Sequence, residues 1–279
     1  MSGSIVDIVA EGAGSGSGVI IGRANKKVYI VTNHHVISGA ERVGVRFVGE
    51  SSYKTAEVRG SSVTEDLAVL IVEVDRDAEI ICAIGGSVEN VDIGDEVVAI
   101  GNPLGKLSGS MSNGIISALD RRVNIEGHTM RFLQTNAEIN SGNSGGGLFN
   151  MAGELIGIVN AKVSDDDTEG LGFAIPYDDT TVGYISEIIE YGYIRNRPSL
   201  GNIKVETWYS KTGIYVTDSG NTPFEEGDRI ISINSSEITT KNDFYEAVKD
   251  LEIGSTAEVI IERDGERYKA TVAVIEAKE

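Results

Sequence analysis

The sequence predicts a mainly β chain in two domains, and three observations carry that expectation. From Ile5 to about Val163, β-rich runs such as KKVYIVT, RVGVRFV, LAVLIVEV, DEVVAIG, GIISAL and GELIGIV alternate with clusters of Gly, Asn, Asp and Ser. Many short strands at such turn-punctuated spacing read as a barrel or a sandwich. The 34 Gly against 4 Pro favour tight turns and close backbone approaches over a helical bundle. Finally, 279 residues exceed the usual single-domain length, so each of two domains can bury its own core.

The strand-rich stretch closes on DDTTVGYISEIIEYG, Asp178 to Gly192, where Val182, Ile185, Ile188 and Ile189 recur at helical spacing before a glycine stop signal. One amphipathic helix is expected there, ending the first domain. RNRPSLGN, Arg195 to Asn202, then concentrates charge, Pro, Gly and Asn, as a chain does on leaving one compact unit for another. The boundary is placed near Arg197, giving domains 1–196 and 197–279. Beyond it, strands GIYVT, DRIISI, TAEVIIE and YKATVAVI, a hairpin signal at Asp264-Gly265 and a helix from about Lys241 to Leu251 predict a small α+β domain.

With 43 acidic against 24 basic side chains and a net charge of −19, the chain repels phosphate backbones, so no nucleic acid is expected as a partner. A hydrophobic fraction of 41% is ordinary for a globular protein. No apolar run reaches the roughly 18 residues of a membrane helix, and MSGSIVDIV lacks the regions of a signal peptide, so the chain as given is expected to be soluble. Cys82 stands alone in EIICAI, which excludes an intrachain disulfide and reads as a small buried hydrophobe.

Three signals are discounted. GAGSGSG, Gly12 to Gly18, lacks phosphate-loop spacing and precedes the strand-like VIIG, so it is expected as a loop entering a strand. Asp165, Asp166 and Asp167 with Glu169 lack the twelve-residue calcium pattern and read as a solvated turn. His128 has no second His or Cys at zinc spacing and is expected in a surface loop. No metal and no cofactor is expected.

The string SGNSGGG, Ser141 to Gly147, carries the most chemistry. A nucleophilic serine needs a sharply turned backbone that exposes its hydroxyl and aims neighbouring N–H groups at a developing oxyanion, and Gly142 and Gly145 supply that freedom. Gly-x-Ser-x-Gly also describes the α/β-hydrolase elbow, whose histidine follows the serine. Here His34, His35 and His128 all precede Ser144, which argues against that fold. The order His, Asp, Ser is instead that of the chymotrypsin-like double barrel. VYIVTNHHVI, Val28 to Ile37, supplies two rival histidines at the end of an early strand, His34 and His35. EDLAVLIV supplies Asp66, which taken alone could be a solvated strand terminus. The three pieces lie in the required order, at separations that suit one barrel followed by another.

These strings, TNHHV, EDLAVL and GNSGG, resemble the HtrA family of trypsin-like serine proteases, whose motifs read Thr-Asn-x-His-Val, Thr-Asp-Leu-Ala-Val-Leu and Gly-Asn-Ser-Gly-Gly. The similarity continues through GSGVIIG at Gly16 to Gly22, VVAIGNPLG at Val97 to Gly105, FLQTNAEI at Phe132 to Ile139 and GLGFAIP at Gly170 to Pro176. The resemblance selects His35, because the family's base directly precedes Val. The last portion, through EEGDRIISINSSEI and IGSTAEVIIERDGERYKATV, looks like the PDZ domain that such proteases carry. It departs from them in a shorter stretch between GIYVTDSG and EEGD, and in SLGN, Ser199, Leu200, Gly201 and Asn202, standing where the carboxylate-binding loop belongs.

The resemblance implies a chymotrypsin-like double β-barrel protease domain followed by a small α+β PDZ-like domain. The implied activity is that of a serine endopeptidase acting on unfolded or misfolded proteins and regulated through the PDZ domain and activation loops. Ser144 would attack the peptide carbonyl, His35 take its proton and Asp66 orient the imidazole, with N–H groups of Gly142 and Ser144 forming the oxyanion hole and Asn143 between them. Ile139, Lys162 and Val163 would surround the specificity pocket, where members of the family present apolar side chains. Lys162 departs from this: its stem could line the wall with the ammonium in solvent, or it could admit an acidic side chain, and the first reading is preferred. Arg121 in ALDRRVN resembles the family's sensor arginine, beside the alternative of an ordinary exposed arginine. C-terminal peptides at the PDZ-like domain, a homotrimer and an extracytoplasmic location, behind a signal or anchor that this chain does not contain, are further implications. The segment before Gly22 lacks the aromatic residues that build the family's trimer. The competing readings are a latent or non-catalytic chaperone-like module, against which the complete triad argues, and a PDZ adaptor, against which the SLGN loop argues.

Overall fold

The structure, a computed structural model, describes residues 1–102, 109–125, 127–163, 170–208 and 212–278. It is mainly β, with 49% strand and 13% helix. Contacts divide the chain into one unit of residues 1–123 and 131–193 and a second of Asn124–Met130 with Ile194–Lys278.

In the first unit β1 (Ile5–Ala10), β2 (Gly14–Ala24), β3 (Lys27–Thr32), β4 (Val43–Phe47), β5 (Lys54–Ser62) and β6 (Leu67–Glu73) close a barrel in the order β1-β2-β3-β6-β5-β4. Strand β4 shows the two-residue period plainly: Val43, Val45 and Phe47 are buried while Gly44 and Arg46 are half-exposed. In β6 the apolar run is uninterrupted because both faces are covered. Ala68, Leu70 and Val72 fill the barrel, and the helix that follows the second sheet packs beside the strand. Burying Leu70 or Val72 stabilises the fold by about 1.5–3 kcal/mol each.

A second ring follows from β7 (Ile84–Gly85), β8 (Glu96–Gly101), β9 (Ser110–Ile125), β10 (His128–Thr135), β11 (Gly147–Asn150), β12 (Glu154–Val159) and β13 (Gly172–Pro176). Their order is β11-β8-β9-β10-β13-β12-β7, and the further pairing of β11 with β12 closes six of them, with β7 on the outside of β12. Leu133, Leu148, Ile156 and Val159 lie in its core. The single-turn α1 (His34–Ile37) leaves the end of β3, and α2 (Asp179–Tyr191) ends the unit. The side chain of Asp178 accepts from the Thr181 amide and Gly192 caps the other end in the left-handed conformation. Of the four residues that suggested this helix, Ile185 and Ile188 are buried, but Val182 is exposed, its place on the inner face taken by Thr181.

The run Gly12–Gly18, expected as a loop, is strand from Gly14 onward. Two of its glycines answer a packing need: a Cβ on Gly16 would lie 2.7 Å from Val36, and one on Gly18 2.6 Å from Ile30 and 2.9 Å from Ile8. Cys82, expected to be buried, is half-buried against the first barrel's core, and burial raises the pKa of its thiol.

The second unit orders β14 (Pro198–Leu200), β15 (Lys204–Thr207), β16 (Ile214–Asp218), β17 (Arg229–Ile233), β18 (Ser236–Glu237), β19 (Thr256–Arg263) and β20 (Glu266–Glu276) as β14-β20-β19-β17-β16-β15, with β18 beside β17. The turn from β19 to β20 holds Asp264 at φ 53° and Gly265 at φ 81°, both in the left-handed region that a two-residue hairpin turn of this kind requires. Helix α3 (Lys241–Val248) stops short of the expected Leu251. Its inner residues Phe244 and Val248 join Val205, Ile214, Val216 and Val259 in the core. His128, expected in a surface loop, instead opens β10 and is buried, its ring 3.6 Å from that of Tyr245 within this unit.

Helix α3 begins with a reciprocal cap in which Thr240 accepts from the Asp243 amide and Asp243 accepts from the Thr240 amide. Hydrogen bonds from the hydroxyl and amide of Thr239, then from Thr240, hold the Asp243 carboxyl down to about 2. Because the folded value lies below the ordinary one, the cap's contribution is present above about pH 4 and is lost as the pH falls towards 2. Asp243→Ala is therefore expected to lower the stability of the second unit by about 1 kcal/mol at pH 7. Denaturant unfolding checks this, and the difference from the parent chain should close as the pH approaches 2.

Candidate active site

The end of β3 and the start of β6 lie side by side because Thr32 pairs with Ala68. The chain therefore delivers α1 and Asp66 to one corner of the first barrel. Asp66 sits at φ 47°, a left-handed conformation that a short polar residue tolerates better than other side chains. Its carbonyl accepts from Asn33 Nδ2 at 3.1 Å. This twist aims the carboxylate at α1, where Oδ1 accepts from the His35 amide at 2.9 Å and Oδ2 lies 2.7 Å from His35 Nδ1.

The other imidazole nitrogen, His35 Nε2, lies 2.9 Å from Ser144 Oγ. Since a carboxylate only accepts, the proton between His35 and Asp66 sits on Nδ1, which leaves Nε2 as the acceptor for the serine hydroxyl. His34, the rival histidine, is turned to β5, with Nδ1 3.0 Å from Ser61 Oγ.

Ser144 lies in the turn that leads into β11 of the second barrel. The Ser17 amide of β2 donates to its carbonyl at 2.8 Å, and the Gly145 amide donates to Val159 O at 2.9 Å. Gly145 stands at φ 80°, and a Cβ there would lie 2.1 Å from Thr32 Oγ1 and 2.2 Å from Ser17 O. Only glycine permits the serine turn to seat this closely on the first barrel.

Of the three residues read as the oxyanion hole, Gly142 stands at φ 98°. The Asn143 amide donates to Asn140 O at 3.0 Å and is thereby engaged within its own turn. The Gly142 and Ser144 amides donate to no other described residue. Ser144 Oγ also accepts from the Ala161 amide at 3.1 Å.

Asn160, which sequence reasoning passed over, is fully buried at the end of β12 and donates through Nδ2 to Asp66 Oδ2 at 2.8 Å. Its own Oδ1 accepts from the Lys162 amide at 3.1 Å. A polar residue closing the apolar run ELIGIV was the available signal. The carboxylate thus accepts from His35 twice and from Asn160 once.

The remaining predicted residues differ in exposure. Ile139 is half-buried against the second barrel's core, Val163 is half-buried and the Lys162 side chain is exposed. Arg121 lies on β9, where Nε donates to Gln134 Oε1 on β10 at 2.8 Å. Among the described residues, no hydrogen bond joins it to the serine turn.

In the second unit Leu200 is buried in the core, so within Ser199–Asn202 that side chain is structural. The Asn202 amide donates to Ser199 Oγ at 3.2 Å and the Ile203 amide to Leu200 O at 3.2 Å. Asp165, Asp166, Asp167 and Glu169 lie outside the described residues.

Residues 16–158 match the family model described as a trypsin-like peptidase domain, and residues 198–274 match the PDZ domain. The chain therefore combines a trypsin-like peptidase domain with a PDZ domain.

It is 35% identical over 295 residues to the serine protease Do-like HtrA of Bacillus subtilis, covering 96% of this chain and 65% of that protein. It thus spans slightly less than two thirds of that relative's length. It is also 35% identical over 273 residues to the serine endoprotease DegS of Haemophilus influenzae, covering 94% of this chain and 77% of that one. The solved structure of the HtrA-type protease AlgW with a decapeptide superposes with a TM-score of 0.64 at 26% identity, over 99% of this chain and 96% of that one. The chain belongs to the HtrA family of serine proteases.

Proposed function

We propose that this chain is a serine endopeptidase in which Ser144 is the nucleophile, His35 the general base and acid, and Asp66 the group that orients the imidazole. The observation that carries the reading is the continuous line from Asp66 Oδ2 to His35 Nδ1 (2.7 Å) and from His35 Nε2 to Ser144 Oγ (2.9 Å). Ser144 Oγ attacks the peptide carbonyl as its proton passes to Nε2, and the resulting imidazolium is steadied by Asp66 and returns the proton to the leaving amine. The undonated amides of Gly142 and Ser144 are the groups we assign to the oxyanion. Ile139, Lys162 and Val163 would border the first residue on the acyl side of the cleaved bond, and Arg121 would respond to the state of the second domain.

The substrate class we infer is polypeptide in extended, unfolded form. In the PDZ domain, β15 ends the sheet, and its outer edge, unpaired among the described residues, with α3 alongside, suits a C-terminal peptide added as a further strand. The bound decapeptide of AlgW supports peptide binding in this family. Family membership also supports an extracytoplasmic setting. Among the described residues, no helix is long and apolar enough to cross a membrane.

The test is to incubate the chain with unfolded casein and, separately, with a fluorophosphonate probe, then locate the adduct by mass spectrometry. Cleavage together with an adduct on Ser144 is expected; neither cleavage nor adduct overturns the proposal. In the same assay Asn160→Ala, which removes one charge-assisted bond to Asp66, is expected to lower kcat roughly 10- to 100-fold at unchanged KM, from about 1.5–3 kcal/mol for such a bond. Steady-state kinetics on a peptide substrate check it.

A further inference from the structure

We propose that Ser17 is a positioning residue for the oxyanion hole, an inference that rests on the endopeptidase reading above. Ser17 lies in the middle of β2, opposite Asp7 of β1, and is fully buried. Its hydroxyl makes two bonds to parts of the chain that precede and follow the second barrel's hairpin. The Asn102 amide lies 2.8 Å from Oγ, and Oγ lies 2.8 Å from Gly142 O. An amide can only donate and a carbonyl can only accept, so the direction of both bonds is determined: Oγ accepts from Asn102 and gives its single proton to Gly142. The Ser17 amide at the same time donates to Ser144 O at 2.8 Å.

One residue of the first barrel thereby holds the carbonyls at both ends of the segment Gly142–Ser144. Those carbonyls face inward, towards β2, and the Gly142 and Ser144 amides are left undonated among the described residues. Glycine at position 142 imposes little backbone preference of its own. Without the hydroxyl, the buried Gly142 carbonyl and Asn102 amide both lose their partner, which is costly enough to drive the peptide plane to rotate in search of another. That plane carries the Asn143 amide, so its rotation breaks the Asn143–Asn140 bond that closes the turn, and the flanking planes that bear the Gly142 and Ser144 amides lose their anchorage and shift off the developing oxyanion, which penalises the tetrahedral state alone.

The signature therefore differs from that of general destabilisation. Ser17→Ala is expected to lower kcat for a peptide substrate roughly 10²-fold, the lower end of the effect of losing one oxyanion donor, with KM unchanged. Affinity for a peptide boronate, which mimics the tetrahedral state, should fall in the same proportion, while a non-covalent product peptide binds as before. Ser17→Cys, which keeps a weak donor, should fall between Ser17→Ala and the parent, and it makes the same comparison if the alanine variant does not fold. Asp178→Ala, which removes the α2 cap and the pair with Arg131 beyond the end of β13 opposite the serine turn, serves as a destabilised control and should keep its kcat. An unchanged kcat in Ser17→Ala, an equal loss in the control, or a loss confined to KM would overturn the assignment. A parent chain that neither cleaves peptide nor takes up boronate would instead sink the endopeptidase reading, and this inference with it.

Discussion

Ser144→Ala is expected to lower kcat for peptide hydrolysis by about 10⁶-fold while the chain keeps its fold and its KM. The side chain is small and loses only Oγ, whose partners are His35 Nε2 and the Ala161 amide, and the backbone of the turn stays seated through Ser17, Val159 and Gly145. Because nucleophile and base act in one proton transfer, adding His35→Ala to Ser144→Ala should cost almost nothing more. Rates of the two single variants and the double variant on one peptide, measured beside their thermal transitions, check both statements. Near-additive losses would show that Ser144 and His35 do not act as a unit.

Asp66→Asn is expected to lower kcat by about 10⁴-fold. The Asp66 carboxylate accepts from the His35 amide, His35 Nδ1 and Asn160 Nδ2, and an asparagine amide has one oxygen to offer three donors. Its NH₂ group facing Nδ1 forces the imidazole proton to Nε2, where it points at Ser144 Oγ and cannot receive the hydroxyl proton. The backbone should survive, since asparagine tolerates the left-handed conformation as aspartate does. The expected result is a folded protein with nearly parental KM and a collapsed kcat, read by steady-state kinetics and by the rate of fluorophosphonate labelling.

Residues whose roles are set by local patterning were legible before any coordinates. Strand β4 alternates, β6 is apolar throughout and α2 joins a helical stripe to a glycine stop, so local pattern located them. The serine turn, the histidine pair and Asp66 could be named because each sits in a short string of its own. What escaped was decided by contacts between distant segments. Gly14–Gly18 reads as a loop until Val36 is seen to crowd Gly16, and Ile8 and Ile30 to crowd Gly18. Val182 fits a helical stripe, but the smaller Thr181 faces inward, where its amide also meets Asp178. Asn160 carries no motif, and Ser17 lies within the GSGVIIG string without a sign of its role; each acts through polar atoms that donate or accept across barrels, and neither a residue closing an apolar run nor a serine among glycines shows which partner it will find. His34 and His35 were separable from sequence only by likeness to a family, whereas their hydrogen bonds separate them directly.

The left-handed backbone at Asp66 has a consequence for which residues that position can accept. Two independent demands fall on one side chain: it must be short enough to tolerate φ 47°, and it must present two acceptor oxygens to His35 and Asn160. Glutamate meets the second demand and strains the first, asparagine meets the first and fails the second, and glycine supplies the backbone while discarding the chemistry. No neighbouring step through sequence space is neutral there, so Asp66 is a locked position whose loss has to be reversed rather than compensated.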